Sequence, residues 1–196
     1  MRYVILGSGS GSNAKAILEA QKAGKLGQAE AIALGSDRND TPFLSHASIL
    51  GIPGEYLHPG KYKTKLVDEA EQQWIAKIKE WQPDLLVLAG LLRVLKPPFI
   101  EAFHGRIINL HPSLLPAFPG LHSIQQAYDH GAKYSGCTVH WVTPTVDAGP
   151  IIDQTAVRIH EGESLKSLET QVHAAEHQLL PEVIRKLSVG ELPFPG

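Results

Sequence analysis

Three residues have types and positions that could do chemistry: Asn109, His111 and Asp147. The first two lie in the run Ile107-Ile108-Asn109-Leu110-His111-Pro112-Ser113-Leu114-Leu115-Pro116. Pro112 disfavours helical geometry at His111, so the run reads as extended, and Asn109 and His111 project from one strand face. An amide donor beside an imidazole suits acyl transfer. Asn can hydrogen-bond a developing oxyanion while His moves protons near neutral pH. Asp147, followed by Ala148-Gly149-Pro150, is a third candidate that could orient or charge the imidazole. No Ser–His or Cys–His pattern calls for a nucleophile from the protein, which leaves the attacking group to the substrate. Taken alone, His111 reads as a structural histidine. Asn-x-His-Pro together with a glycine-flanked Asp is what turns it into a candidate.

A second feature is the loop Gly7-Ser8-Gly9-Ser10-Gly11-Ser12-Asn13. Glycines let backbone N–H groups approach a phosphate, and a helix starting there adds its dipole. Ser12 and Asn13 could add side-chain donors or cap that helix. Three readings stay open. Gly9-x-Gly11-x-x-Ala14 satisfies a dinucleotide fingerprint, with Asp37 placed to hold a ribose. The loop could instead hold one phosphate of a smaller ligand, or serve only as a tight strand–helix turn.

These residues need elements to hold them. Tyr3–Leu6 and Ala31–Leu34 read as buried strands, and Ser12 onward carries helical spacing through Ala14, Ile17, Leu18 and Ala20. Thr41-Pro42 reads as the N-cap and first position of a helix closed by Gly51-Ile52-Pro53. A longer helix is predicted over Lys65–Trp81, with Leu66, Ala70, Trp74, Ile75 and Ile78 on one stripe. Asp84–Ala89 is almost wholly apolar, as a parallel strand buried on both faces should be. Pro97-Pro98 opens a short helix, and Arg106–Leu110 is the next strand. Thr138–Val142 and Ile151–Ile159 read as longer strands, and a serine-capped helix spans Leu165–Leu187. The alternation implies an α/β fold: an open, mostly parallel, Rossmann-like sheet with helices on both faces and an antiparallel or mixed C-terminal edge.

Composition narrows the class. The chain has 196 residues, 43% hydrophobic and 19% charged, which suits one packed domain rather than a disordered chain. Its net charge of -2 excludes a broad basic nucleic-acid footprint. The single Cys137 allows no disulfide within the chain. No stretch resembles a signal peptide or a membrane span, so a soluble, cytoplasmic protein is expected.

Together, Asn109–Pro116, Pro119-Gly120-Leu121-His122 and Asp147-Ala148-Gly149-Pro150 resemble the folate-dependent formyltransferase family. The Gly9–Asn13 loop narrows the likeness to the branch that formylates glycinamide ribonucleotide. The resemblance runs from Val4 to about Pro181. It implies that a substrate amine attacks the formyl carbon of the co-substrate 10-formyltetrahydrofolate through a tetrahedral intermediate, with no covalent enzyme intermediate and no metal. Asn109 would stabilise the oxyanion, His111 would assist and carry the proton, and Asp147 would hold His111 charged. Thr138 matches a position supporting that network. Gly11, Ser12 and Asn13 match the phosphate loop for glycinamide ribonucleotide, and Glu176 a carboxylate near its amine and ribose. Arg93, Val94 and Leu95 match the segment whose backbone meets the pterin, and Thr143 to Asp147 the loop closing the other side. His173 falls at a polar substrate-contacting position. Residues 1–100 would form the phosphate-binding half of a single 1–196 domain, and 101–196 the catalytic and folate-binding half. Two departures stand out: a short tail after Val189, and Leu92 where a larger apolar residue is expected.

The expected partners are the two small molecules, with no nucleic acid or membrane, and the chain is expected as a monomer or homodimer. A formyltetrahydrofolate hydrolase is the nearest alternative, although it usually carries an added N-terminal regulatory domain. A methionyl-tRNA formyltransferase usually carries an added C-terminal RNA-binding domain. A dinucleotide-dependent oxidoreductase would leave Asn109, His111 and Asp147 unexplained. His173-Ala174-Ala175-Glu176-His177 matches a zinc-peptidase pattern, but no third ligand follows well downstream. Lys61, Lys63 and Lys65 read as solvated surface, Trp74 and Trp81 as core, and Cys137 as a buried apolar thiol. His140 shares a strand face with Thr138 and could approach the site, although it reads first as structural.

Overall fold

The computed structural model describes residues 1–195. The chain runs β1 (Arg2–Gly7), α1 (Ser12–Lys22), β2 (Glu30–Ser36), a 3-10 turn (Leu44–Ile49), β3 (Gly54–Tyr56), α2 (Asp68–Trp81), β4 (Leu85–Leu88), α3 (Pro97–Ala102), β5 (Ile107–His111), α4 (Ser123–Asp129), β6 (Tyr134–Trp141), β7 (Ile151–Arg158) and α5 (Leu165–Ser188). One sheet holds all seven strands in the order β3-β2-β1-β4-β5-β6-β7. The first five in that order are parallel, and β6 and β7 are antiparallel additions. The chain leaves β1 in one direction for β2 and β3, then returns to its other side for β4. That reversal opens a crevice at the carboxyl ends of β1 and β4, where open α/β sheets bind ligands.

Both faces of the sheet are buried, which is why its central strands are continuously apolar. In β1, Tyr3 and Ile5 join α1 and α5 in one core, while Val4 and Leu6 join α2 and α3 in the other. Ser164 caps α5 by accepting from the Ser167 N–H at 3.2 Å. No helix among the described residues is long and apolar enough to cross a membrane.

Two predicted helices come out shorter. The segment from Thr41 to Pro53 holds only the 3-10 turn, because Phe43, fully buried against the glycine loop, pins its start. Helix α2 begins at Asp68 rather than Lys65. Thr64 and Leu66 spend their backbone groups on Val94 instead: the Val94 N–H donates to the Thr64 carbonyl at 2.9 Å, and Leu66 N–H to the Val94 carbonyl at 3.3 Å. Strand β3 and helix α4 have no counterpart in the sequence reading.

Trp74 anchors α2. It is 1% exposed, and its indole N–H donates to the His58 carbonyl at 3.0 Å. Trp74→Ala is expected to destabilise the protein by about 3–5 kcal/mol, measured by equilibrium urea unfolding.

Candidate active site

Asn109 and His111 sit at the carboxyl end of β5, and the antiparallel register sets Asn109 opposite His140 and His111 opposite Thr138. The His140 Nδ1 lies 2.9 Å from the Trp141 carbonyl, which can only accept. Nδ1 therefore carries the proton, and burial pushes this imidazole below its ordinary range, favouring the neutral ring. Its Nε2 is left as a lone pair that accepts from the Asn109 amide at 3.2 Å. One Asn109 N–H is tied down, the amide cannot flip, and its second N–H is directed by that anchor. His140, which from the sequence could approach the site or be structural, thus fixes the Asn109 amide.

The His111 ring lies between two oxygens of the chain. Nε2 is 3.0 Å from the Phe118 carbonyl, and Nδ1 is 3.5 Å from Asp147 Oδ2. Asp147 Oδ2 also accepts from the Gly120 N–H at 2.8 Å, and its Oδ1 is 3.8 Å from His140 Nε2. Asp147 takes φ 53°, a left-handed conformation that non-glycine residues adopt only when their surroundings hold them. The neighbouring Gly149 is part of that hold: a Cβ there would run into the Trp141 carbonyl oxygen.

Beside this trio opens a cavity of about 710 Å³. Arg93, Val94 and Leu95 line one side and Thr143 to Asp147 another, with Asn109, His111 and His140 within it. Leu92, Val94, Leu121 and Val146 leave apolar surface exposed at its walls. The size, the apolar rim and the few convergent polar groups fit a small molecule with both apolar and polar parts. Thr138 stands apart from the reacting cluster. Its hydroxyl donates to the Ser113 carbonyl at 2.6 Å and accepts from Leu115 N–H and Gln154 Nε2, so it pins the loop following His111.

The glycine loop forms the crevice floor. Gly11 has φ 77°, and α1 starts after it with no side-chain cap, so neither Ser12 nor Asn13 caps it and the first N–H groups stay open to an anion. Asn13 Nδ2 donates to Glu176 Oε2 at 3.0 Å, and His173 Nδ1 meets the same oxygen at 2.9 Å. That hydrogen bond to the carboxylate holds the His173 pKa above its ordinary range. Asn13 Oδ1 is buried with no hydrogen-bond partner, an acceptor still available to a donor. Both expected ligand sites straddle residue 100: Arg93–Leu95 join Asn109–Asp147 around the cavity, and Asn13 meets Glu176.

The dinucleotide reading is corrected here. It needs Asp37 for a ribose, but Asp37 is 5% exposed and paired with Arg93 at 2.6 Å. Among the described residues no group of three His, Cys, Asp or Glu side chains is arranged to hold an ion.

A mixed sheet with a glycine loop at its reversal point, and an amide, an imidazole and a carboxylate beside a deep cavity, defines an enzyme of group transfer to a substrate nucleophile. The model of the formyl transferase family matches residues 1–184, and the chain belongs to that family. It is 37% identical over 186 residues to the phosphoribosylglycinamide formyltransferase of Bacillus subtilis, spanning 95% of this chain and 94% of that one. It is 36% identical to the enzyme of the same name from Escherichia coli, over 98% of this chain and 89% of that one. Among solved structures, glycinamide ribonucleotide transformylase 1 from Symbiobacterium toebii superposes with a TM-score of 0.91 at 39% identity, covering 100% of this chain and 91% of that chain.

His140→Leu removes the acceptor that fixes Asn109. It is expected to lower kcat roughly 10- to 100-fold with both KM values nearly unchanged, as read from steady-state kinetics. Because burial lowers the native pKa of His140, the stability tied to its neutral form is complete above about pH 6.5 and is lost as pH falls through the depressed native value. The variant's unfolding free energy should therefore depend less on pH below about 6.5 than the parent's, as followed by urea titrations across pH.

Proposed function

We infer that the protein transfers the formyl group of 10-formyltetrahydrofolate to the amine of glycinamide ribonucleotide, yielding formylglycinamide ribonucleotide and tetrahydrofolate in de novo purine biosynthesis. The observation that carries this reading is the position of Asn109, His111 and Asp147. They lie in the cavity, on a sheet that also bears the glycine loop, with the buried Asn13–Glu176 pair beside that loop. The cavity takes the folate, with Arg93–Leu95 on the pterin side and Thr143–Asp147 opposite. The amides of Gly11–Asn13 take the ribonucleotide phosphate, and Glu176 takes its ribose and amine end.

The reaction needs no nucleophile from the protein. The ribonucleotide amine attacks the formyl carbon, the carbonyl π electrons move to oxygen, and Asn109 donates to that oxyanion. A proton leaves the attacking nitrogen and another reaches the folate nitrogen as its bond to the formyl carbon breaks. His111 serves that transfer, and Asp147 stabilises its charged form. Because His111 Nε2 engages the Phe118 carbonyl in the structure, the transfer requires that bond to be exchanged for one to substrate. Thr138 contributes by holding the 113–115 backbone. The chain acts as a single formyltransferase unit in the cytoplasm, as a monomer or homodimer, with no resident metal in the reaction.

The decisive assay mixes the protein with 10-formyltetrahydrofolate, with and without glycinamide ribonucleotide, and follows tetrahydrofolate and formylated product. Turnover only with the amine is expected; formate release without it would identify a hydrolase, and no turnover in either mixture would sink the reading. Asn109→Ala and Asp147→Asn should each raise the barrier by about 3 kcal/mol with substrate binding kept. Replacing Ser12 and Asn13 should instead raise KM for the ribonucleotide, since they meet its non-reacting phosphate.

A further inference from the structure

We propose that Asp37 is a positioning residue for folate: through Arg93 it sets the backbone that forms the pterin side of the cavity. This rests on the assignment of that cavity to folate. Asp37 lies just past the end of β2 and takes no part in the chemistry, yet its carboxylate meets Arg93 Nε at 2.6 Å with the two side chains 5% and 9% exposed. The same guanidinium donates through Nη1 to the Tyr62 carbonyl. The Arg93 side chain is thus committed to Asp37 and Tyr62, although the residue lines the cavity, and it ties three separate segments together.

The rest of that backbone is held with equal care. Leu92 N–H donates to Ser8 Oγ at 2.9 Å, and Ser8 N–H donates to the Gly90 carbonyl at 3.1 Å. Val94 N–H and its carbonyl are both taken by the 64–66 segment. Between these two attachments the ion pair is the only side-chain bond to residue 93 among the described residues besides the Tyr62 contact. Arg38, the nearest other cation in sequence, is turned to Asp40 at 2.6 Å. Asp37 is therefore balanced by Arg93, and removing either partner leaves the other charge buried. Breaking such a pair costs far more than replacing both members.

The test compares Asp37→Asn, Arg93→Met and the double variant with the parent. Each is assayed with 10-formyltetrahydrofolate and glycinamide ribonucleotide, alongside thermal unfolding. Asp37→Asn is expected to raise KM for the folate roughly tenfold while kcat and KM for the ribonucleotide stay within about twofold. The double variant should be less impaired than the sum of the singles in folate KM. A lower Tm is expected in either case, whereas a general structural role would move both KM values together. That outcome, or an unchanged folate KM in Asp37→Asn, overturns the proposal. Should Asp37→Asn fail to fold, the double variant carries the test: a raised folate KM with unchanged ribonucleotide KM supports it, and an unchanged folate KM overturns it. Absence of turnover in the parent would refute the functional reading itself, a result separate from any variant's.

Discussion

The register between β5 and β6 is the constraint on which the site depends. A parallel sheet alone would carry Asn109 and His111 to its edge with a free side and no partner for the Asn109 amide. The antiparallel addition of β6 brings His140 opposite Asn109 and Thr138 opposite His111. One hydrogen-bonded strand pair thus supplies both the group that orients the Asn109 amide and the hydroxyl that pins the following loop. A shift of one residue would turn every one of these side chains to the other face. Asn109 and His111 are held by backbone pairing, while Asp147 comes from the loop between β6 and β7.

The same economy joins the two substrate regions. Ser8 belongs to the glycine loop yet holds Gly90 and Leu92 of the cavity lining, and α5 carries His173 on the cavity wall as well as Glu176 against Asn13. The two sites therefore share their supports. With a net charge of -2 and two anionic substrates, attraction has to come from local devices: open N–H groups at α1, the glycine loop's amides and a few buried polar groups, not a general field.

What could be read from the residues follows from physics. Strands β1 and β4 are buried on both faces, and that burial writes itself into consecutive apolar residues. Asn109 and His111 stand out because alternation and Pro112 fix their direction. Strand β3 is three residues at an edge, and α4 is seven residues without a side-chain cap, so neither leaves a periodic trace. Helix α2 loses its first turn because Val94, far along the chain, claims the backbone of Thr64 and Leu66. The role of His140 hangs on a hydrogen bond to its neighbour's carbonyl, and Asp37 and Arg93 meet across 56 positions. A carboxylate after a strand looks the same in sequence whether it awaits a ribose or neutralises an arginine.

The contact between His111 and the Phe118 carbonyl has a consequence for the enzyme at rest. One ring nitrogen is bonded to the loop, the other faces Asp147, and Asp147 is itself engaged by Gly120. In the reaction proposed above, the imidazole reaches substrate only after one of these bonds is exchanged, so part of the barrier is set by the resting contacts themselves.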